Sequence, residues 1–180
     1  MKQCIAFIIS QVFIFYFTLR YQKKISWGKN IIINHKFSFS GKGKVIIGDN
    51  VNLWAHAEKN IFQTYSSEAV ICIGENSRIN GGFFQCREKI TIGKNCLVGS
   101  CHLMDTDFHH ADPQKRFDTE NVPTKKIIVG DNVWLAGQSA VLKGVEISDN
   151  SIVAFRAVVT KSVPENSVVA GNPAKVVKEF

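Results

Sequence analysis

Residues Val129 to Val159 read VGDNVWLAGQSAVLKGVEISDNSIVAFRAVV. Aliphatic side chains fall at Val129, Leu135, Val141, Ile147, Val153 and Val159, a spacing of six without a slip. An amphipathic helix repeats its apolar positions every three to four residues and a half-buried strand every two, so neither explains the pattern. A fixed short period of this kind predicts a solenoid.

Each position of the hexad has a steric reason. The residue after the aliphatic is small or polar at Gly130, Ala136, Ser148, Ala154 and Thr160, as a tight bend against the next coil requires, and Leu142 is the exception. Two residues further on stand Asn132, Gly144 and Asn150, which tolerate a left-handed backbone. Gln138 and Arg156 share that slot, so it is a bias. The fifth position holds Val133, Ser139, Val145, Ser151 and Ala157, compact side chains that can stack inside a narrow coil.

Upstream, Ile47-Gly48-Asp49-Asn50, Ile73-Gly74-Glu75-Asn76 and Ile92-Gly93-Lys94-Asn95 repeat the signature of Val129-Gly130-Asp131-Asn132. Gly130 to Ser148 is 18 residues, three hexads, which predicts a triangular coil. Gly93 to Gly130 is 37 residues, so about one coil's length must leave the solenoid as a loop, and it carries His109 and His110. The segment Ala55 to Ser67 lengthens its coil by about eight residues and reads as a surface loop.

The run IIVGDNVWLAGQSAVLKGVEISDNSIVAFRAVVTKSVPENSVVAGNPAKVVK and the loop MDTDFHHADP resemble the hexapeptide-repeat acyltransferases, the left-handed parallel β-helix family of sugar O-acetyltransferases and their relatives. The resemblance covers about residues 41 to 180. It implies an all-β fold, a left-handed parallel β-helix (hexapeptide-repeat solenoid), with a short N-terminal apolar helix and a protruding loop. The expected organisation is residues 1-24 as an apolar N-terminal segment and 25-180 as the acyltransferase domain, with the active-site loop at about 103-126.

The 180-residue chain carries net charge +7. No helix-turn-helix, zinc finger or RNA-binding signature accompanies that charge, which excludes nucleic acid as the expected partner. Five cysteines, Cys4, Cys72, Cys86, Cys96 and Cys101, form no Cys-x-x-Cys pair, so they predict reduced thiols and a cytoplasmic protein. Residues 5 to 19, IAFIISQVFIFYFTL, are the most apolar run and are followed by Arg20, Lys23 and Lys24. Two readings stay open: an interfacial anchor, peripheral at the cytoplasmic face of the inner membrane, or a helix packed on the solenoid or between subunits.

Acyl transfer needs a base for the acceptor hydroxyl, and histidine suits it near neutrality. The resemblance implies a catalytic histidine in the loop. Its Asp-x-Asp-x-His form selects His109, counting back from Trp134 allows His110, and Asp107 or Asp105 would orient the ring. The resemblance also implies acetyl-CoA as acyl donor. It would be bound at Gly137, Phe155, Thr160 and Lys161, with Lys175 and Lys178 toward its phosphates. Asn80 and Trp134 are the implied saccharide-binding residues, and a homotrimer is implied, with one chain's loop facing the next chain's coenzyme slot. No metal is expected, because His102, His109 and His110 lack the spacing of the zinc-dependent γ-type carbonic anhydrases. The expected activity is acetyl-CoA-dependent O-acetylation of a saccharide, in surface polysaccharide or lipopolysaccharide biosynthesis. The alternatives are an N-acetyltransferase of a nucleotide-linked amino sugar and a non-catalytic trimeric scaffold.

Overall fold

The computed structural model describes residues 2–180, with side chains from Ile5 onward. Cys4 therefore lies outside the described side chains. Helix α1 (Lys2–Tyr21) is followed by one turn of 3-10 helix and then by a parallel β-helix of triangular section. Its first sheet stacks Ile25–Trp27, Lys44–Ile47, Val70–Ile73, Lys89–Ile92, Ile127–Val129 and Glu146–Ile147. The second stacks seven parallel strands from Ile32–Ile33 to Ser167–Gly171, and Ala174–Glu179 closes it antiparallel. The third runs from Phe37–Gly41 through Asn60–Thr64, Gly82–Cys86, Cys101–Met104 and Ala140–Leu142 to Val158–Val159.

The hexad aliphatics are the inward residues of these strands. Ile71, Ile90 and Ile127 line one face, Leu53, Ile79 and Leu135 the second, and Phe62, Phe84 and Leu103 the third, all fully buried. Burying each such side chain stabilises the fold by about 1.5–3 kcal/mol. Phe62 and Phe84 stack with ring centroids 4.7 Å apart, inside an aromatic column that continues through Phe37 to Phe17 of α1.

The corner between the first and second sheets turns on left-handed residues: Asn50, Asn76, Asn95, Asn132 and Asn150 have φ between 55° and 59°. Gln138 and Arg156 adopt φ of 58° and 59° at the next corner, so the repeat imposes this conformation even where the side chain disfavours it. A Cβ on Gly93 would overlap the carbonyl oxygen of Gly130 on the next coil, which is why this slot stays small.

The segment Ala55 to Ser67 departs from its reading as a surface loop. It contains the third-sheet strand Asn60–Thr64, with Phe62 at its centre. Asn60, paired with Phe37 and Gly82 on the neighbouring coils, is polar and fully buried. Its amide donates to Leu53 O at 2.7 Å and its oxygen accepts from Gly81 N at 2.8 Å, so the polar group is satisfied and the coil closes around it.

Candidate active site

The protruding loop, residues 105–126, leaves the corner between the third and first sheets. Its neck is zipped by Asp107 N to Pro123 O (3.1 Å) and Lys125 N to Asp105 O (2.9 Å). Asp105 anchors the neck from below. Its buried carboxylate accepts from the backbone N–H of Arg87, Glu88 and Lys89 at 2.7–2.9 Å. Burial pushes this carboxyl up, against those N–H groups, which pull it down. The adjoining Cys86 thiol is pushed up by burial and then by the Asp105 charge.

These contacts correct the expectation that Asp105 orients a histidine. It is a turn anchor for the preceding coil. Asp107 differs from expectation as well: its carboxylate meets Lys143 Nζ at 2.6 Å on the following coil and bonds no imidazole.

At the tip, Phe108 has φ 63° and its ring meets Tyr65 edge-on at 5.0 Å. That left-handed residue docks its own side chain on the solenoid and presents the next one outward. His109 is exposed, with Nδ1 3.0 Å from the carbonyl oxygen of Arg116. A carbonyl only accepts, so Nδ1 carries the proton and Nε2 of the neutral ring keeps its lone pair. The Nε2 of His110 is buried without a hydrogen-bond partner, a poor position for taking a proton from a substrate.

Five of the remaining candidates lie at two corners. Asn80, Gly137 and Phe155 lie between the second and third sheets, and a Cβ on Gly137 would rest 3.6 Å from the Phe155 ring. The space left by that glycine is therefore filled within the chain by Phe155, over which Arg156 lies at 5.1 Å. Thr160 and Lys161 are exposed at the corner between the third and first sheets, the same corner from which the histidine loop springs. Lys175 and Lys178 are exposed on the closing strand, at the edge of the second sheet. Asn80 accepts from His56 N at 2.9 Å, and Trp134 points outward from the second face, 48% exposed. A cleft of about 740 Å³ between α1 and the second face, lined by Phe7, Ile8, Ile32, Trp54 and Arg78, includes no loop residue.

A family model described as the hexapeptide repeat of succinyl-transferase matches residues 89–100 and 126–161. The chain is 29% identical over 148 residues to WbbJ of Escherichia coli K12, named as a lipopolysaccharide biosynthesis O-acetyl transferase, covering 77% of this chain and 73% of that one. Among solved structures it resembles the polysialic acid O-acetyltransferase OatWY, with TM-score 0.72, 28% identity, and 86% and 74% of the two chains covered. In its repeat and its fold the chain is similar to the hexapeptide-repeat acyltransferases. A galactoside acetyltransferase solved in complex with coenzyme A is similar at TM-score 0.63 and 27% identity, with 86% of this chain and 64% of that chain covered.

Sequence reasoning missed the residues that hold His109 and its loop in place. Arg116 acts through its backbone carbonyl, which carries no residue-type signal. Tyr65 and Lys143 come from coils on either side of the loop, at separations of 43 and 36 residues from the groups they meet.

Proposed function

We propose that this protein is an acetyl-CoA-dependent O-acetyltransferase of a saccharide, with His109 as general base. The observation that carries the reading is the His109–Arg116 contact, which leaves Nε2 as the basic atom on an exposed ring. Nε2 takes the proton of the acceptor hydroxyl, whose oxygen attacks the acetyl carbonyl; backbone N–H groups stabilise the oxyanion. Collapse breaks the C–S bond, completes the ester, and returns the proton from the imidazolium to the departing thiolate. A covalent acyl-cysteine route is disfavoured at Cys86, Cys96 and Cys101, which are buried and whose thiols burial pushes up.

The division of candidates between two corners supports a trimeric site, in which the loop of one chain faces the Gly137–Phe155 corner of another. Surface polysaccharide or lipopolysaccharide is the proposed acceptor context, in line with the names of WbbJ and OatWY. Free thiol released from acetyl-CoA, measured with panels of sugars, amino sugars and nucleotide sugars, tests the reading. Acceptor-dependent release that His109→Ala abolishes supports it. Release only with amino sugars would transfer the reading to N-acetylation, and no release together with no coenzyme binding would leave a scaffold.

A further inference from the structure

The two faces of α1 do different work. Ser10, Phe13, Ile14, Phe17 and Tyr21, at helical spacing, face the first coil. Ser10 is fully buried, exchanging hydrogen bonds with Ile33 N (2.9 Å) and Ile33 O (3.1 Å), and Phe17 meets Phe37 at 5.0 Å. This face closes the open end of the solenoid, as a terminal cap must. The opposite face holds Ile5, Ile8, Val12, Phe15 and Leu19, each more than half exposed, with Ile9 and Tyr16 beside them. Such a continuous apolar stripe is uncommon on a surface without a partner.

Charge identifies the partner. Eight of the chain's 22 basic residues and none of its 15 acidic residues precede Asp49. The rest of the chain is nearly balanced, with 14 basic against 15 acidic residues, so the basic side chains are spread along the sequence but the excess is not. Arg20, Lys23, Lys24, Lys29, Lys42 and Lys44 are exposed on the helix end and the first turns of the solenoid. A second copy of this end would meet it with like charge. An anionic lipid surface would meet it with opposite charge and accept the apolar face.

We propose that α1 is an in-plane membrane anchor, seating the solenoid end-on upon an anionic bilayer with Ile8, Val12, Phe15 and Leu19 in the interface and the basic ring on the headgroups. The helix has the length to cross a bilayer, but crossing would strip Ser10 and Phe17 from the coil they seal. The proposal does not depend on the acetyltransfer reading, since it uses no residue of the loop.

The full chain is tested for co-sedimentation with vesicles of phosphatidylcholine alone and with phosphatidylglycerol added at three parts in ten. The expected result is at least tenfold tighter binding to the anionic vesicles, weakened by salt. The variant Ile8→Ser/Val12→Ser/Phe15→Ser/Leu19→Ser should lose at least tenfold in binding. Lys23→Gln/Lys24→Gln should reduce the preference for anionic vesicles severalfold, with the thermal transition of each variant checked against wild type. Three results would overturn the proposal: no vesicle binding above the fourfold variant; an oligomer in sedimentation velocity that wild type forms and that variant loses; or resistance of the membrane-bound protein to alkaline carbonate, which marks a spanning helix.

Discussion

His109 Nδ1 lies 3.0 Å from the carbonyl oxygen of Arg116, within the same loop. The contact fixes the tautomer without help from a carboxylate. Replacing His109 by Ala or Gln should lower kcat by about 10²–10⁴, the usual contribution of a positioned general base, with KM for acetyl-CoA and the thermal transition little changed. His110→Ala should cost less than about tenfold, because its Nε2 faces inward. Steady-state kinetics of both variants checks the pair. Equal losses would remove the distinction drawn between the two rings.

Asp107 meets Lys143 at 2.6 Å, with side chains 42% and 29% exposed. A pair this wet is worth at most about 1 kcal/mol to stability, so its role is to brace the loop neck. Asp107→Ala and Lys143→Ala should give the same modest fall in kcat, below about tenfold, and the double variant should be no worse than either alone. A much larger loss for Asp107→Ala alone would return this carboxylate to the histidine.

Asp105 is different in kind. Removing its side chain takes the acceptor from three part-buried backbone N–H groups, and an unsatisfied donor costs up to about 1–3 kcal/mol. Asp105→Ala should lower the unfolding free energy by at least about 2 kcal/mol in urea titrations. Asp105→Asn, which keeps one accepting oxygen, should fall between it and wild type. Identical stabilities for all three would mean that the turn at Arg87–Lys89 holds itself.

Much of this was legible in one dimension. The hexad register located the inward aliphatics because each coil repeats the same backbone, and the surplus of residues between Gly93 and Gly130 located the loop. The strand around Phe62 was hidden because Phe62 follows Leu53 by nine residues, off the count of six, and the polar Asn60 at its start reads as loop until its contacts to Leu53 and Gly81 are seen. The two loop aspartates look alike in the string Asp-Thr-Asp. Their fates diverge because one points into the coil below and the other toward the coil above, a difference set by neighbours 16 to 36 residues away.

Burial pushes the Cys101 thiol up to about 12. Below the unfolded-state value, near 8.5, both states hold the proton and the group leaves stability unchanged with pH. Above it the unfolded chain ionises while the folded chain does not, so stability falls until the folded pKa is reached. The slope is about 1.4 kcal/mol per pH unit for this one group. Wild type should therefore lose stability between about pH 9 and 11 more steeply than Cys101→Ala, by that amount, in parallel urea titrations. Equal slopes would show that the thiol ionises within the fold.

Gly93 and Gly137 are both glycines of the repeat, yet the structure gives them opposite tolerances. A methyl on Gly93 would strike the Gly130 carbonyl, a backbone atom fixed by its own coil. A methyl on Gly137 would find the Phe155 ring at 3.6 Å, an ordinary van der Waals separation. Gly93→Ala should cost about 2 kcal/mol or more, in the range of overpacking substitutions, and lower Tm by several degrees. Gly137→Ala should leave Tm within about a degree of wild type, since it creates neither strain nor a cavity. If the donor's pantetheine arm runs past this corner, the same methyl should raise KM for acetyl-CoA severalfold at unchanged kcat, because it obstructs binding without touching the base. A Gly137→Ala enzyme with unaltered KM would place the donor's path elsewhere on the prism, while the Gly93 comparison would still stand as a test of the coil packing alone.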